Sequence, residues 1–558
     1  MSNYHPDRAI VVQSDLSVLV EVDAPDYPAA RAAIAAIAEL EKSPEHVHTY
    51  RITPLSIWNA AAAGRTAADA KAGLIAHAKY DVPVSVLHQI DDFFTRWGKV
   101  TLEPHTPGQA EGTFTLVARD PAAEARIGRD NWFVEHTSPI GKGTFAVALV
   151  HRGEVKQRVL KLGWPVDDRA GVLAGDPLAC ALREDVFSLR TYQRDAVEVF
   201  LDGGGHGVVC LPCGGGKTVV ALATMARLET RTLILVTGHE AAEQWKRELC
   251  LKTTITPDQI GLYSGLAKEV APITIATYSI LTAGAKTKAM KHFEALCKEP
   301  WGLVVYDEVH LLPAPVFRLS AALQARRRLG LTATLVREDG REGDVFSLIG
   351  PKRYDVPWRD LEASGFIASA RCIERRVPMP EDARLAFDVA SEPHERARLA
   401  ADNPEKDAVV AELVAGHHDD QILVIGTYLE QLRRLSEKLG APLLTGETPH
   451  SKREELYGAF RRNEIRVLVV SRVANFAIDL PDASVLVQVA GTFGSRQEEA
   501  QRLGRILRPK QRGAFFYTLV SQGTEEVEWA RNRQRFLAEQ GYGYDIEGLE
   551  ILQEQAPP

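Results

Sequence analysis

Cysteine is scarce in this chain: Cys180, Cys210, Cys213, Cys250, Cys297 and Cys372 are its only six among 558 residues. So thin a scatter excludes a disulfide framework and fits a reducing compartment. Cys210 and Cys213 spell CxxC, yet no second CxxC or histidine pair stands near them in sequence, and the pair reads as chance rather than as a metal site. His46 and His48 likewise lack a third ligand within sequence reach. Long apolar runs are missing; none approaches the length that spans a bilayer. Met1 to Asp15 has no basic-then-apolar secretion layout. Together these absences give the expectation of a cytoplasmic protein with no membrane partner. A basic excess is absent too. The formal charge of −8 excludes a general basic coat, although an acidic protein can still bind phosphates through one local groove. Low-complexity sequence is lacking, and only the tail Gln553 to Pro558 is loose.

What is present has an ordinary globular balance, 45 % apolar and 25 % charged, and the length predicts about three or four domains at roughly 150 residues each. From Ala29 to Leu40 the residues Ala33, Ile34, Ile37 and Leu40 fall on one helical face. Thr53 before Pro54 reads as an N-cap with proline in the first turn, and Thr66 with Asp69 as a capping box. After Pro83 a helix carries Val86, Leu87, Ile90, Phe93, Phe94 and Trp97 on one face and stops at Gly98. This predicts a compact, mostly helical domain over 1–105. It contains no cluster of reactive side chains, which fits a regulatory or protein-binding cap.

The pattern then shifts to short β-like runs at Thr113 to Ala118, Thr144 to Val150 and Val155 to Leu162, with Arg152 and Gly153 expected as a hairpin turn. A small β-rich module over 106–185 is predicted. Its Trp132, Phe133, Phe145, Lys156 and Arg158 either line a DNA surface or, as aromatics in small β modules more often do, fill the core.

Beyond Phe187, strand-like and helical stretches alternate, with strands expected at Val208 to Leu211, Thr232 to Val236, Ile273 to Thr277, Leu303 to Tyr306 and Leu329 to Leu331. The periodicity breaks near Pro351 to Gly365. A second block follows, with strands at Ile422 to Ile425, Val467 to Val470, Val485 to Val489 and Phe515 to Val520. Such alternation is the mark of a parallel sheet wrapped by helices, here twice in tandem. The boundaries expected are 186–362 and 363–545, with a tail at 546–558.

In VVCLPCGGGKT, Val208 to Thr218, a buried strand opens into a glycine turn and then a helically spaced stretch, Val219 to Leu228. That order makes a phosphate loop. Gly214, Gly215 and Gly216 let backbone N–H groups converge on phosphate oxygens, and the helix N-terminus adds partial positive charge. Lys217 is expected to reach the β and γ phosphates and the Thr218 hydroxyl to hold Mg²⁺. The usual GxxxxGK[ST] has glycine where Leu211 stands, so this is a variant led by Pro212 and Cys213. Asp307 and Glu308 follow the strand Leu303 to Tyr306 directly, which places the two carboxylates at a strand's C-terminal end beside that loop. Asp307 can complete the Mg²⁺ shell and Glu308 can activate the attacking water. Thr332, Ala333 and Thr334 end the next strand, with hydroxyls suited to relaying a change at the nucleotide. In QRLGRILR, the residues Gln501, Arg505 and Arg508 stand at near-helical spacing, and the arginines are candidate fingers for a γ phosphate from across a domain cleft.

The ordered set LRTYQ at Leu189 to Gln193, PCGGGKT at Pro212 to Thr218, DEVH at Asp307 to His310, TAT at Thr332 to Thr334 and QRLGRILR at Gln501 to Arg508 resembles a superfamily 2 helicase. GLTATLVRED at Gly330 to Asp339, and DLPDASVLVQ with GSRQEEAQRLGRILR between Asp479 and Arg508, resemble more narrowly the XPB family of DNA repair helicases. SPEHVHTYRITPLSIWNAAAAG at Ser43 to Gly64 is similar to the N-terminal domain of the bacterial members, so the resemblance extends over most of the chain. It implies an α/β fold of two tandem RecA-like parallel-sheet motor domains, preceded by the helical domain and the small β module. It implies ATP and Mg²⁺ as cofactors, with Arg190 and Gln193 at the nucleotide and Gln193 reading the adenine. His310 and Gln501 would couple the motors. Arg337, Glu338 and Asp339 match the family's strand-separating loop, the damage-recognition module maps near Asn131 to Arg183, and a thumb maps near Glu381 to Ala400. Ala474 and Asn475 stand where eukaryotic members have glycine and aspartate, a departure within the segment that couples to DNA.

The function implied is an ATP-dependent DNA helicase moving 3'–5' and opening duplexes in repair. Its partners would be single-stranded and forked DNA, with a repair nuclease or other repair proteins on the N-terminal domain. Two alternatives use the same motor: a duplex translocase without strand separation, and the motor of a restriction-type nuclease. For the latter no nuclease constellation stands out in either end domain. A nucleotide-gated scaffold without turnover is disfavoured by the intact Lys217, Asp307, Glu308, Arg505 and Arg508.

Overall fold

The computed structural model describes residues 4–42, 46–104, 112–148, 151–170, 174–212, 214–281, 292, 295–312, 323, 325–333, 342–356, 358–471, 483–491, 499, 502–504, 506–507, 513–540 and 542–548. The chain divides into two compact units, one over Met1–Pro212 and Gly216–Val356 and the other over Cys213–Gly215 and Pro357–Pro558.

In the first unit the N-terminal helices flank a four-stranded antiparallel sheet that helical periodicity did not reveal, ordered Ile10–Val12, Ser17–Glu21, Val47–Arg51, Glu39–Lys42. The helix expected to run to Leu40 is Tyr27–Ala35, and Leu40 belongs to a strand. Of the expected face Ile34, Ile37 and Leu40 are buried and Ala33 is half-buried, so one apolar series serves two elements. Local capping chemistry reads more directly. The Thr53 hydroxyl accepts from the Ser56 N–H at 3.0 Å at the start of the helix Pro54–Ala62. Thr66 and Asp69 exchange backbone-to-side-chain bonds of 3.1 and 3.2 Å before Ala67–His77.

A five-stranded sheet follows, ordered Thr137–Gly141, Thr144–Ala148, Thr113–Ala118, Val100–Glu103, Val166–Asp168, parallel only at its last pair. The hairpin expected at Arg152 and Gly153 does not form; these residues open a helix, Arg152–Lys161. Val155 and Val159, one helical turn apart, are fully buried, while Arg152 and Lys156 both reach the Asp168 carboxylate, at 3.0 and 2.8 Å. Two contacts per face at that spacing suit a helix and not a strand. Phe133 and Phe145 sit in the module's core, and Lys156 is buried against Asp168, so none of the three lines a DNA surface. The Arg158 guanidinium lies 4.7 Å from the Trp132 ring centre.

The first unit also holds a seven-stranded parallel sheet, ordered Ile260–Tyr263, Ile273–Thr277, Thr232–Val236, Leu303–Tyr306, Arg327–Thr332, His206–Cys210, Lys352–Asp355. The second unit holds another, ordered Leu443–Leu444, Val467–Ser471, Ile422–Gly426, Val485–Gln488, Ala514–Ser521, Ala370–Val377, Tyr544–Glu547. Both run parallel throughout, as a sheet made from strand–helix–strand crossovers must. Every expected motor strand is present. The strands without a forecast are mostly sheet edges, where one neighbour is missing and the apolar run is short or mixed. Pro351 to Gly365, read as a break in periodicity, holds the polar edge strand Lys352–Asp355 and the helix Trp358–Ala363. Helices at Glu381–Val389 and Pro393–Ala401 follow the strand Ala370–Val377.

Candidate nucleotide site

The strand His206–Cys210 leads into the loop, and the helix Lys217–Leu228 begins directly after Gly216. Gly214 and Gly216 have φ of 78° and 79°, a region that side chains with a Cβ rarely occupy. Space reinforces the requirement at Gly216, because a Cβ there would stand 2.3 Å from Nε2 of Gln193. Gln193 is thus packed against the loop. It is buried in the helix Thr191–Asp202, and its Oε1 accepts from the Arg190 backbone N–H at 3.0 Å. The Arg190 guanidinium donates to the Tyr192 hydroxyl at 3.2 Å. Sequence neighbours thereby fix the amide that faces the loop's last glycine.

Strand order brings the acids to the same edge. The strand Arg327–Thr332 lies between Leu303–Tyr306 and His206–Cys210, so the DEVH acids, Thr332 with Ala333, and the start of the phosphate loop all stand at the C-terminal ends of adjacent strands. This is where open α/β sheets place ligands. The Glu308 backbone is left-handed, with φ 47° and ψ 54°, a strained choice for a residue with a Cβ. Its Oε1 is 3.2 Å from Lys217 Nζ and its Oε2 is 3.5 Å from His310 Nδ1. Burial by itself would raise the Glu308 carboxyl, but Lys217 and His310, with a bond from the Ala333 N–H, hold it below its ordinary value. Asp307 goes the other way. Burial and the neighbouring Glu308 charge raise it, against the opposing pull of Trp245 and Lys217.

Trp245 and Tyr278 are the residues that sequence reasoning missed. The indole N–H of Trp245, on the helix His239–Lys252, donates to Asp307 Oδ2 at 2.8 Å, and the Tyr278 hydroxyl donates to the Asp307 carbonyl at 2.7 Å. A lone tryptophan in a helix and a tyrosine after a strand carry no motif, and only tertiary packing brings them to the acid. His310 Nδ1 stands 2.8 Å from Thr332 Oγ1, completing a path from the half-buried Lys217 and Glu308 through the buried His310 to the TAT strand.

These donors fit a divalent cation. Asp307, raised by burial and then by the Glu308 carboxylate, would ionise with a cation beside it, and aspartate and threonine oxygens are the hard ligands Mg²⁺ prefers. Among the described residues no group of three His, Cys, Asp or Glu side chains could hold a metal alone. Thr218 lies in the first turn of the phosphate-loop helix. Cys213, Thr334, Arg337, Glu338, Asp339, Ala474, Asn475, Gln501, Arg505 and Arg508 lie outside the described residues.

A phosphate loop, an acid pair and a TAT strand at one edge of a RecA-like sheet, with a second such sheet later in the chain, define a superfamily 2 helicase motor. The chain is 52 % identical to the DNA 3'-5' helicase XPB of Mycobacterium tuberculosis (strain ATCC 25618 / H37Rv) over 98 % of its own length and 99 % of that protein. It belongs to the XPB family of these helicases. The DNA 3'-5' helicase XPB of Kineococcus radiotolerans is also 52 % identical, over 97 % of this chain and 96 % of that protein. The general transcription and DNA repair factor IIH helicase/translocase subunit XPB of Antonospora locustae is 33 % identical over 98 % and 82 %. Residues 361–555 match the ERCC3/RAD25/XPB C-terminal helicase family, 10–132 a helicase conserved C-terminal domain, and 186–337 the type III restriction enzyme res subunit. No helix among the described residues is long and apolar enough to cross a membrane.

Proposed function

We propose that this chain is an ATP-dependent DNA helicase that couples hydrolysis to 3'–5' translocation and duplex opening in DNA repair. The observation that carries it is the path of polar contacts Lys217–Glu308–His310–Thr332, which joins a phosphate loop to a strand end on the same sheet. In this reading Lys217 and the loop N–H groups bind the β and γ phosphates, and Gln193 with Arg190 holds the adenine side of ATP. Glu308, kept ionised by Lys217 and His310, accepts the proton of the attacking water. Asp307 and Thr218 would hold Mg²⁺, which would supply charge neutralisation at the phosphates. Arg505 and Arg508 neutralise the γ phosphate in the transition state, and Gln501 and His310 couple turnover to the motors. Thr332 and Thr334 pass the change onward to the loop Arg337, Glu338 and Asp339, which parts the strands.

Domain boundaries at 1–105, 106–185, 186–362 and 363–545 follow from the same reading, with a thumb near Glu381 to Ala400 and a cytoplasmic setting. DNA, single-stranded and forked, is the substrate, and the N-terminal domain is the seat for a repair nuclease or another repair protein. The restriction-enzyme match covers only 186–337, whereas the XPB relatives align along nearly the whole chain, which favours the helicase over a nuclease motor. A second reading, translocation on duplex DNA without strand separation, is favoured by the helicase/translocase description of the Antonospora relative. Strand displacement on duplexes tailed at either end decides between them. Release from a 3'-tailed duplex alone supports the proposal, while DNA-stimulated hydrolysis with no release on either substrate points to the translocase. The stimulation falls steeply between 50 and 200 mM salt if DNA phosphates are contacted, and hydrolysis indifferent to DNA at low salt overturns both readings.

A further inference from the structure

A buried cluster of cations joins the five-stranded module to the parallel sheet of the first unit, at the opposite end of the strand Arg327–Thr332 from Thr332 and the nucleotide site. Arg152 and Lys156 come from the module's helix and Arg328 from that strand, and all three are at most 3 % exposed. They meet at the last carbonyl of the helix Glu342–Leu348, where Leu348 accepts from Lys156 Nζ at 3.3 Å and from Arg328 Nη1 at 2.7 Å.

The charges here do not balance. Asp168 accepts from Arg152 at 3.0 Å and from Lys156 at 2.8 Å. Arg328 has no carboxylate partner among the described residues and donates only to the carbonyls of Leu348 and Leu323. Asp167, the next carboxylate along the strand, is engaged by Arg169 at 2.7 Å. Three buried cations therefore share the one carboxylate of Asp168. A helix C-terminus adds about half a negative charge, so positive charge stays uncompensated even when Lys156 is neutral. Burial, with Arg328 and Arg152 beside it, pushes the Lys156 ammonium down to about 7, although Asp168 pulls the other way.

Two nitrogens of the cluster also lack a hydrogen-bond acceptor, Nη1 of Arg152 and Nε of Arg328. Both residues line a cavity of about 10 Å³, together with Lys156, Phe346, Ile349 and Pro351. That is room for one particle of about a water's size. A water would accept from the orphaned N–H groups but leave the charge, and a buried guanidinium without a counter-charge is costly. A single anion answers both needs, and the volume excludes a phosphate or a carboxylate. We propose that this cavity binds one monatomic halide ion, of the chloride class, on Arg152 and Arg328, and that the ion fastens the module to the motor sheet.

Thermal unfolding of the full chain tests this, with potassium chloride replacing potassium gluconate at constant ionic strength; gluconate is too large for the cavity. Arg328→Met removes the uncompensated cation and keeps an unbranched stem. Measured against that variant, which cancels general salt effects, the midpoint of the unaltered chain is expected to rise by about 2–4 °C and to level off as the site fills. A chloride response shared by both chains overturns the proposal. Should Arg328→Met not fold, crystals of the unaltered chain grown in bromide decide the matter. An anomalous peak in the cavity at Arg152 and Arg328 is expected, and density there without anomalous signal, as a water gives, overturns the proposal.

Discussion

Lys217 and Glu308 are best understood together, because each sets the other's state. Lys217 is only 12 % exposed and its Nζ faces Glu308, so removing it takes away both the proposed phosphate ligand and the cation that holds a half-buried carboxyl below its ordinary value. Lys217→Ala is expected to abolish ATP hydrolysis while lowering stability by no more than about 2 kcal/mol, since Glu308 keeps His310 and the Ala333 N–H. Steady-state ATPase and a denaturant melt measure the two effects, and normal turnover would refute the phosphate-loop assignment. Glu308→Gln keeps the shape and loses the base. It is expected to bind ATP with Mg²⁺ at near-normal affinity and to hydrolyse it at least about 100-fold more slowly. Loss of binding as well, in a fluorescent-nucleotide titration, would make Glu308 a structural residue.

Two predictions belong to single elements. The helix Arg152–Lys161 is tied down by Asp168, whose carboxylate Arg152 and Lys156 hold well below its usual range despite full burial. Asp168→Asn leaves both cations buried with no anion between them, and a loss of about 3–5 kcal/mol is expected. A fall below about 1 kcal/mol in chemical denaturation would show that other groups carry the charge balance. The strand Val47–Arg51 carries His48, buried with its Nδ1 3.1 Å from the Tyr27 hydroxyl and within the field of the Arg31 charge. Burial, with Arg31 adding to it, lowers His48 from 6.5 to about 4. Between those values the unfolded chain takes up a proton that the folded chain refuses. The stability from keeping His48 neutral is therefore complete above pH 6.5 and lost as pH falls toward 4, about 3 kcal/mol at most. His48→Gln retains a partner for Tyr27 and should make the stability–pH slope in that window shallower by up to one proton. An unaltered slope would assign the acid sensitivity elsewhere.

At the scale of the whole molecule, strand separation demands more than hydrolysis. Opening a base-pair step costs on the order of 1.4 kcal/mol of stacking, which turnover can supply only if a loop at the fork converts motor movement into strand divergence. Arg337, Glu338 and Asp339 follow the TAT strand in sequence and are the residues proposed for that task. Replacing all three by alanine is expected to leave ATP binding and most DNA-stimulated hydrolysis intact while reducing unwinding of a tailed duplex at least about tenfold. Equal losses in both assays would place the loop within the hydrolytic machinery, and unchanged unwinding would leave it a solvated turn.

Certain features were legible in the residues alone because their causes are local. A fully buried parallel strand is rich in apolar and β-branched residues with no charge, so Thr232–Val236, Ile273–Thr277 and Leu303–Tyr306 read correctly to the residue. The Thr66–Asp69 capping box depends only on neighbours a turn apart, and the phosphate loop on glycines next to a lysine. Other features belong to the fold. The N-terminal strands are short and share their apolar residues with helices, so periodicity cannot separate them, and Lys352–Asp355 is polar because an edge strand has one neighbour. The run after Arg152 has enough valine to suggest a strand; only the reach of Arg152 and Lys156 to a distant Asp168 made it a helix. The sequence likewise determined that acids, lysine and threonines would stand at strand ends. Which of them touch was decided by the order of strands in the sheet. That order put Arg327–Thr332 between the acid strand and the phosphate-loop strand, joined His310 to Thr332, and brought Trp245 to Asp307 from 62 residues away, a separation over which no local rule of spacing operates.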